Sequence, residues 1–596
     1  MIVPNKTSSV FHILCAAIWF ILCVMFSIDT NQFVYKSLSM ILPCEMCILL
    51  LFIIAFIHWI MFKPRFPFGI IQLFVILWTC YMFIHELFIA EAELYRFSYL
   101  AITLSLLILF PYLLKTHLLS VKIIENGIFV MLIIQLLFLS LQLLGIVKST
   151  SSFFSLTGTN DNPNITAMLI AASIPILLKR MRKSTKVYYY IFLVIVSAIY
   201  LIMLKCRTAY VGLVVTAVVL FLTSEMVRKK IKSLSISMKM FCGVITLLMF
   251  TVFSIYLYGS KQASSDGRLL IWKLSSRMIT EHPEGIGIGK FGRDYNLRQA
   301  QYFMEETATE EERSLASCNY MAYNDYLEMG VESGVIGMLL LFGFYLLLIY
   351  RCYRQKEYLS MSVVVAFMIM ASVNFIYTSM QPWLVLLCYA TIGIRNDDQS
   401  KIKHPYNLLP IKCICLVACL LVLYRQVNII RAQLELKRYM TAYDKKENID
   451  IEDAKSLSSI ISTSEAYWKF MYDLNSRKGD YEEGYKCLKK ASCYVSDLKV
   501  YFSLYFCCKR LSDNSQCLEY LKQIRGMVPL NLYCRYLMLK HYYEHAMKEQ
   551  TISMANEILT IPVKVKNEQS DKIRIYAENI LLAMDTSKQI QYSPIQ

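Results

Sequence analysis

Two arginines open the chemistry of this chain. Arg207 sits in Lys205-Cys206-Arg207-Thr208, between two apolar runs. Arg268 sits in Gly267-Arg268-Leu269-Leu270-Ile271-Trp272, at the head of an amphipathic segment. An arginine keeps its charge and presents a fork of N–H donors that grips phosphate oxygens. Arg207 therefore reads as a phosphate ligand or as an anchor snorkelling to the membrane interface. Arg268 taken alone reads as a solvated loop residue.

Further along lies His282-Pro283-Glu284-Gly285-Ile286-Gly287-Ile288-Gly289, a glycine-rich turn. Glycines bring backbone N–H groups close to an anion, or simply let a loop fold back. No strand precedes this turn, so a dinucleotide-binding reading fails its own context. Next comes Tyr323-Asn324-Asp325-Tyr326-Leu327-Glu328, opening another apolar run. Asp325, Glu328 and Glu332, spaced by three and four residues, share one helix face. Acids at a helix start are favoured by its dipole, and one of them can serve as a general base.

These residues need elements to hold them. The 596 residues are 56% hydrophobic, with mean hydropathy +0.45. Apolar runs lie near 10–28, 38–62, 67–90, 98–114, 123–147, 163–179, 187–205, 209–226, 239–258, 327–350, 358–376, 380–394 and 408–425. About thirteen transmembrane helices are expected. The first run lacks a small-residue cleavage site and reads as a span. The net charge of +17 comes from Lys and Arg gathered in alternate connectors, such as Lys179-Arg180-Met181-Arg182-Lys183 and Arg228-Lys229-Lys230. That is the positive-inside pattern rather than a nucleic-acid surface. It places the N-terminus in the cytoplasm and the long polar loop, 259–323, outside with the C-terminal region. The 19 cysteines are scattered without zinc spacing.

Polar residues inside spans are costly and mark candidate sites. Glu45, His85, Glu86, Asn160, Asp161, Asn162, Asn164, Asn374 and Gln381 all fall toward the expected outer ends. Each alone reads as a satisfied interface residue, but together they outline a polar cavity. Residues 1–427 form the expected membrane domain. Residues 428–596 are charged, Tyr-rich and helical in period, with similar stretches near 477–491 and 510–524, 33 residues apart. That spacing reads as tetratricopeptide-like helix pairs, which bind protein partners, or as an irregular helical domain.

In this order, Gly158-Thr159-Asn160 to Asn164, Arg207-Thr208, Arg268 to Trp272, the HPEGIGIG turn and the NDYL…ExGxxG run resemble the O-antigen ligase and O-antigen polymerase superfamily. The resemblance spans about 155 to 340. It implies an all-α, GT-C-like inner-membrane glycosyltransferase acting on the periplasmic face. Such an enzyme moves a glycan from undecaprenyl diphosphate to a hydroxyl acceptor, with inversion and with neither metal nor nucleotide sugar. The acceptor is a growing glycan, a lipid A core or a protein. No cofactor is implied.

The resemblance assigns Arg207 and Arg268 to the diphosphate, with Asn162, His282, Gly287 and Asn324 as further substrate-binding candidates. Many members carry a histidine directly before the Asn of NDYL, and this chain has Tyr323 there. The base is left open among Asp325, Glu328 and Glu332, with His85 and His282 as alternatives. The rival readings are a polysaccharide transporter or flippase and a non-enzymatic assembly scaffold. No inverted repeat supports a transporter.

Overall fold

The computed structural model describes residues 6–27, 36–64, 66–88, 94–233, 235–238, 240, 244, 259, 262–305, 308–395, 409–562 and 567–591. Among these every regular element is a helix. Eight helices are long and apolar enough to cross a membrane, and four shorter apolar helices accompany them. The apolar runs read from the sequence recur as these elements, with one helix break at Ser105 inside the run near 98–114. The expected span 239–258 lies almost wholly outside the described residues.

The bundle has a basic end and a loop end. At the basic end Arg228 donates to Tyr358 Oη at 2.8 Å and Arg395 to Glu357 at 2.5 Å. Lys179 and Arg180 reach Glu125 and Asn126. The basic connectors thus share an end, as their alternation predicts. At the opposite end the segment 144–162, the 372–379 turn and the long polar loop meet. A buried amide and hydroxyl network fastens them. Asn160 Nδ2 donates to Gln381 Oε1 at 3.0 Å and to Thr166 Oγ1 at 2.9 Å. Gln135 Nε2 donates to Thr159 at 2.6 Å and to Gln381 at 3.1 Å. Buried amides need such partners, so Asn160 and Gln381 serve the fold directly.

The helix Asp325–Arg354 is broken at Gly334, where φ is 71° and ψ is −177°. A break within a span frees backbone groups that lipid cannot satisfy. The glycine-rich turn satisfies them. Ile286 N donates to Val331 O at 3.0 Å, Gly287 N to Glu332 O at 2.9 Å, and Val335 N to Pro283 O at 3.0 Å. The backbones pass so closely that a Cβ on Gly285 or Gly334 would collide with the other strand of chain. His85 Nε2 donates to Glu284 O at 2.8 Å, and Ile288 N donates to Glu86 at 3.0 Å. The end of the Ile70–Phe88 helix therefore clamps the same turn.

Helix Leu409–Asp444 runs unbroken through the change in composition near 427. Gln426 Nε2 reaches the buried Glu45 at 2.7 Å, while Lys412 lies over the Trp59 ring at 4.3 Å. Beyond it helix hairpins stack. Their first helices start at Glu465, Leu498 and Leu532, spaced 33 and 34 residues. Asp480, Asp497, Asp513 and Asn531 cap helix starts through their side chains, each satisfying a backbone N–H left orphaned at a helix start.

This stack docks on the long loop. Helix Phe291–Met304 packs on helix Asn514–Met527, with Ala300 set against Gly526. Asn296 Nδ2 donates to Ser496 O at 2.7 Å while its Oδ1 accepts from Asn319 N at 2.9 Å. Gln299 Nε2 donates to Met527 O at 2.6 Å and to Ser317 O at 3.0 Å.

Candidate functional site

A cavity of about 750 Å³ opens where helix Arg207–Thr223 begins beside helix Gln262–Glu281 and the 317–323 segment. Asn162, Lys205, Arg207, Arg268, Asn319 and Tyr323 line it together with several serines. Among the described lining residues three are cations and none is a carboxylate. Lys205 holds a left-handed conformation at the end of the preceding helix. This ends that helix and lets Arg207 start the next. The Arg207 helix has no side-chain cap at its start, so its positive dipole end adds to the site.

Arg207 Nη1 donates to Ser265 Oγ at 3.1 Å. Arg268 Nη1 donates to Val373 O at 2.6 Å, and its guanidinium lies 4.9 Å from the centre of the Tyr323 ring. Burial draws Arg268 below the usual arginine range; the neighbouring Tyr323 opposes this and the charge of Arg207 adds to it. The two arginines thus feel each other's charge, and a bound anion would relieve that repulsion.

Tyr323 has φ 52°, rare for an aromatic residue. Its neighbours hold it there. Trp272 Nε1 donates to Ala322 O at 3.0 Å, and Ala322 N donates to Glu328 Oε2 at 2.8 Å. Asn324 caps the next helix by accepting from Tyr326 N and Leu327 N. Burial raises the Tyr323 phenol above its usual range, with Arg268 opposing. Its ring is thus a platform under Arg268, and its hydroxyl is a weak base at neutral pH.

The acids of the Asp325 helix divide. Asp325 accepts from Ile376 N at 3.0 and 2.9 Å and from Tyr377 N at 3.2 Å, capping the 372–379 turn. Glu328 holds Ala322. Glu332 lines a second cavity of about 260 Å³, shared with Arg96, Asp161, Phe375, Tyr377 and Thr378. Arg96 Nη1 lies 3.7 Å from Glu332 and 3.9 Å from Glu328. The Tyr377 hydroxyl donates to Glu332 at 3.3 Å, and Phe291 N donates to it at 3.4 Å.

The structure thus gathers Asn162, Arg207, Arg268 and Tyr323 in one cavity and puts Glu332 in another. Asn324, Asp325 and Glu328 face protein groups. His282 is exposed and pairs with Glu284 at 3.2 Å, and Gly287 joins the backbone pairing described above. Neither cavity is lined by a histidine among the described residues. Sequence reasoning missed Arg96 and gave Lys205 no role. Arg96 carried a signal, being an arginine at the foot of an apolar run on the side with few positive charges.

Residues 191–342 match the family model for O-antigen ligase. That segment is an O-antigen ligase domain, containing both arginines, the glycine turn and Glu332. The match indicates a glycosyltransferase-like enzyme of the ligase or polymerase type, with lipid-linked glycan and acceptor as its substrates. No curated protein matches the chain.

Proposed function

We propose, proceeding from this O-antigen ligase domain, that the chain transfers a glycan from undecaprenyl diphosphate to a hydroxyl acceptor at the periplasmic face of the bacterial inner membrane. It acts as a polymerase or ligase of surface polysaccharide. The observation that carries this reading is the cavity with three cations and no carboxylate among its described lining residues. A diphosphate leaving group gains negative charge as the glycosidic bond breaks. Fixed cations aimed at that charge lower the barrier without reorganising. Arg207 at a helix start and Arg268 stacked on Tyr323 are held before substrate arrives, so each fork meets the phosphates in a fixed orientation. The Lys205 and serine groups complete the polar lining. Displacement by the acceptor from the opposite face inverts the anomeric centre. These residues supply the charge stabilisation themselves, so the reaction as drawn calls on no metal.

The repeat-like C-terminal hairpins fit a tetratricopeptide-type module that stands in the periplasm and takes envelope-assembly proteins as partners. Purified chain in detergent, given undecaprenyl-diphosphate-linked glycan extracted from cells lacking the gene, should release undecaprenyl diphosphate and yield transferred glycan. Release of neither product refutes the enzyme reading and favours a transporter or scaffold.

A further inference from the structure

We propose that the 260 Å³ cavity is the acceptor subsite, taking a terminal sugar ring of an acceptor glycan, and that Glu332 accepts the proton of its attacking hydroxyl. This rests on the donor reading above and adds the other half of the reaction.

The two cavities differ in charge. Among its described lining residues the larger has cations and no carboxylate. Among its described lining residues the smaller sets Glu332 and the rim residue Asp161 against one cation, Arg96, with the Thr378 hydroxyl beside them. Carboxylates repel a phosphate, whereas carboxylates and hydroxyls suit the hydroxyls of an uncharged ring. The smaller cavity has about 260 Å³ against about 750 Å³ for the larger, a space on the scale of one sugar ring. The Thr378 hydroxyl is buried with no hydrogen-bond partner. An acceptor hydroxyl would supply one.

The cavities share a wall. Tyr323 lines the larger and Phe375 the smaller, and their rings meet edge to face at 5.6 Å. Donor sugar and acceptor meet there once Phe375 turns aside. The acceptor oxygen then bonds to the anomeric carbon while its proton passes to a Glu332 carboxylate oxygen. The anomeric carbon–oxygen bond to phosphate breaks, and its electron pair leaves with the diphosphate between Arg207 and Arg268. Tyr377 and Arg96 hold the Glu332 carboxylate in position.

The test uses the full-length Thr378→Cys chain, purified folded and then labelled with a bulky fluorescein maleimide. Labelled and unlabelled samples are compared, with the parent chain labelled at its exposed Cys80 and Cys413 as control. The probes are undecaprenyl diphosphate for binding and the extracted lipid-linked glycan for transfer. Labelling at position 378 should cut transfer at least tenfold and leave the Kd for undecaprenyl diphosphate within twofold. Glu332→Gln should bind undecaprenyl diphosphate normally and transfer at least a hundredfold more slowly. A thiol at 378 that cannot be labelled, labelled chain that transfers like unlabelled chain, or parallel loss of undecaprenyl diphosphate binding would overturn the subsite. A parent chain that neither binds undecaprenyl diphosphate nor transfers glycan removes the donor reading instead.

Discussion

Arg268 shows how much a single residue's surroundings decide. In sequence it looked like a loop arginine. In the fold it is buried, bonded to Val373 O and stacked on Tyr323. Losing a donor preorganised for developing charge costs about 10²–10³-fold in rate. Arg207→Ala and Arg268→Ala should each lower glycan transfer by that order, measured as transferred glycan per purified chain. Arg268→Lys should fall nearly as far, because an ammonium lacks the fork. Tyr323→Phe keeps the ring face beneath the guanidinium and should lose less than about tenfold. Tyr323→Ala removes a cation–π contact worth about 1 kcal/mol and should lose more. Equal losses in the Phe and Ala variants would show that the hydroxyl, and not the ring, matters. Arg207 was conspicuous in the sequence as a charge between two apolar runs. The platform was not, because nothing in the local pattern says that Tyr323 lies under a side chain 55 positions earlier.

Between elements, the close crossing of the glycine turn and the broken Asp325 helix is the most exacting feature. Gly334→Val should greatly lower the yield of folded chain, since it strains a positive φ by about 1–3 kcal/mol and drives a side chain into Pro283 and Glu284. Gly145, which has open space beside its Cβ position, should tolerate alanine better; a size-exclusion profile in detergent distinguishes the two. The sequence marked both the turn and the NDYL segment, but their pairing spans about 50 residues and is set by backbone hydrogen bonds that any residue pattern could carry. The shared face of Asp325, Glu328 and Glu332 was legible from spacing alone. Most partners on that face were not, because they come from distant segments: the backbone N–H groups of Ile376, Tyr377 and Phe291, the Arg96 guanidinium and the Tyr377 hydroxyl.

The hairpin stack offers a pH test. Burial raises the Asp473 carboxyl from 3.8 to about 6, with Arg477 opposing and Asp444 adding to the rise. The folded chain therefore holds this proton more tightly than the unfolded chain. Its contribution is most favourable below pH 4 and is lost as pH rises to about 6. Asp473→Asn should raise the melting temperature at pH 7 relative to the parent and leave little difference at pH 4. An equal shift at both values would rule out this carboxyl as the cause.

Across the whole molecule, Asn296 and Gln299 each hold the 317–320 segment with one hand and the hairpin stack with the other. Asn319 and Ser317 line the cationic cavity, so the stack is part of what shapes it. Asn296→Ala and Gln299→Ala leave buried backbone groups unpaired, at about 1–3 kcal/mol each. Both should lower transfer several-fold while undecaprenyl diphosphate still binds, read as separate effects on turnover and affinity. Composition marks a charged region after 427, but only the fold shows it resting on the long polar loop. Contacts between elements hundreds of residues apart leave no periodic trace.

The unbroken helix Leu409–Asp444 links these scales. Its 36 residues span about 54 Å at 1.5 Å per residue, well beyond a hydrocarbon core of about 30 Å. It is a mast, stepped in the membrane and carrying the hairpins at its head, and a mast has a rotational phase. One inserted residue above Gln426 would swing the hairpins by about 100° and lift them about 1.5 Å, unseating the docked loop with no cavity residue changed. Four inserted residues would nearly restore the bearing while raising the head by about one turn.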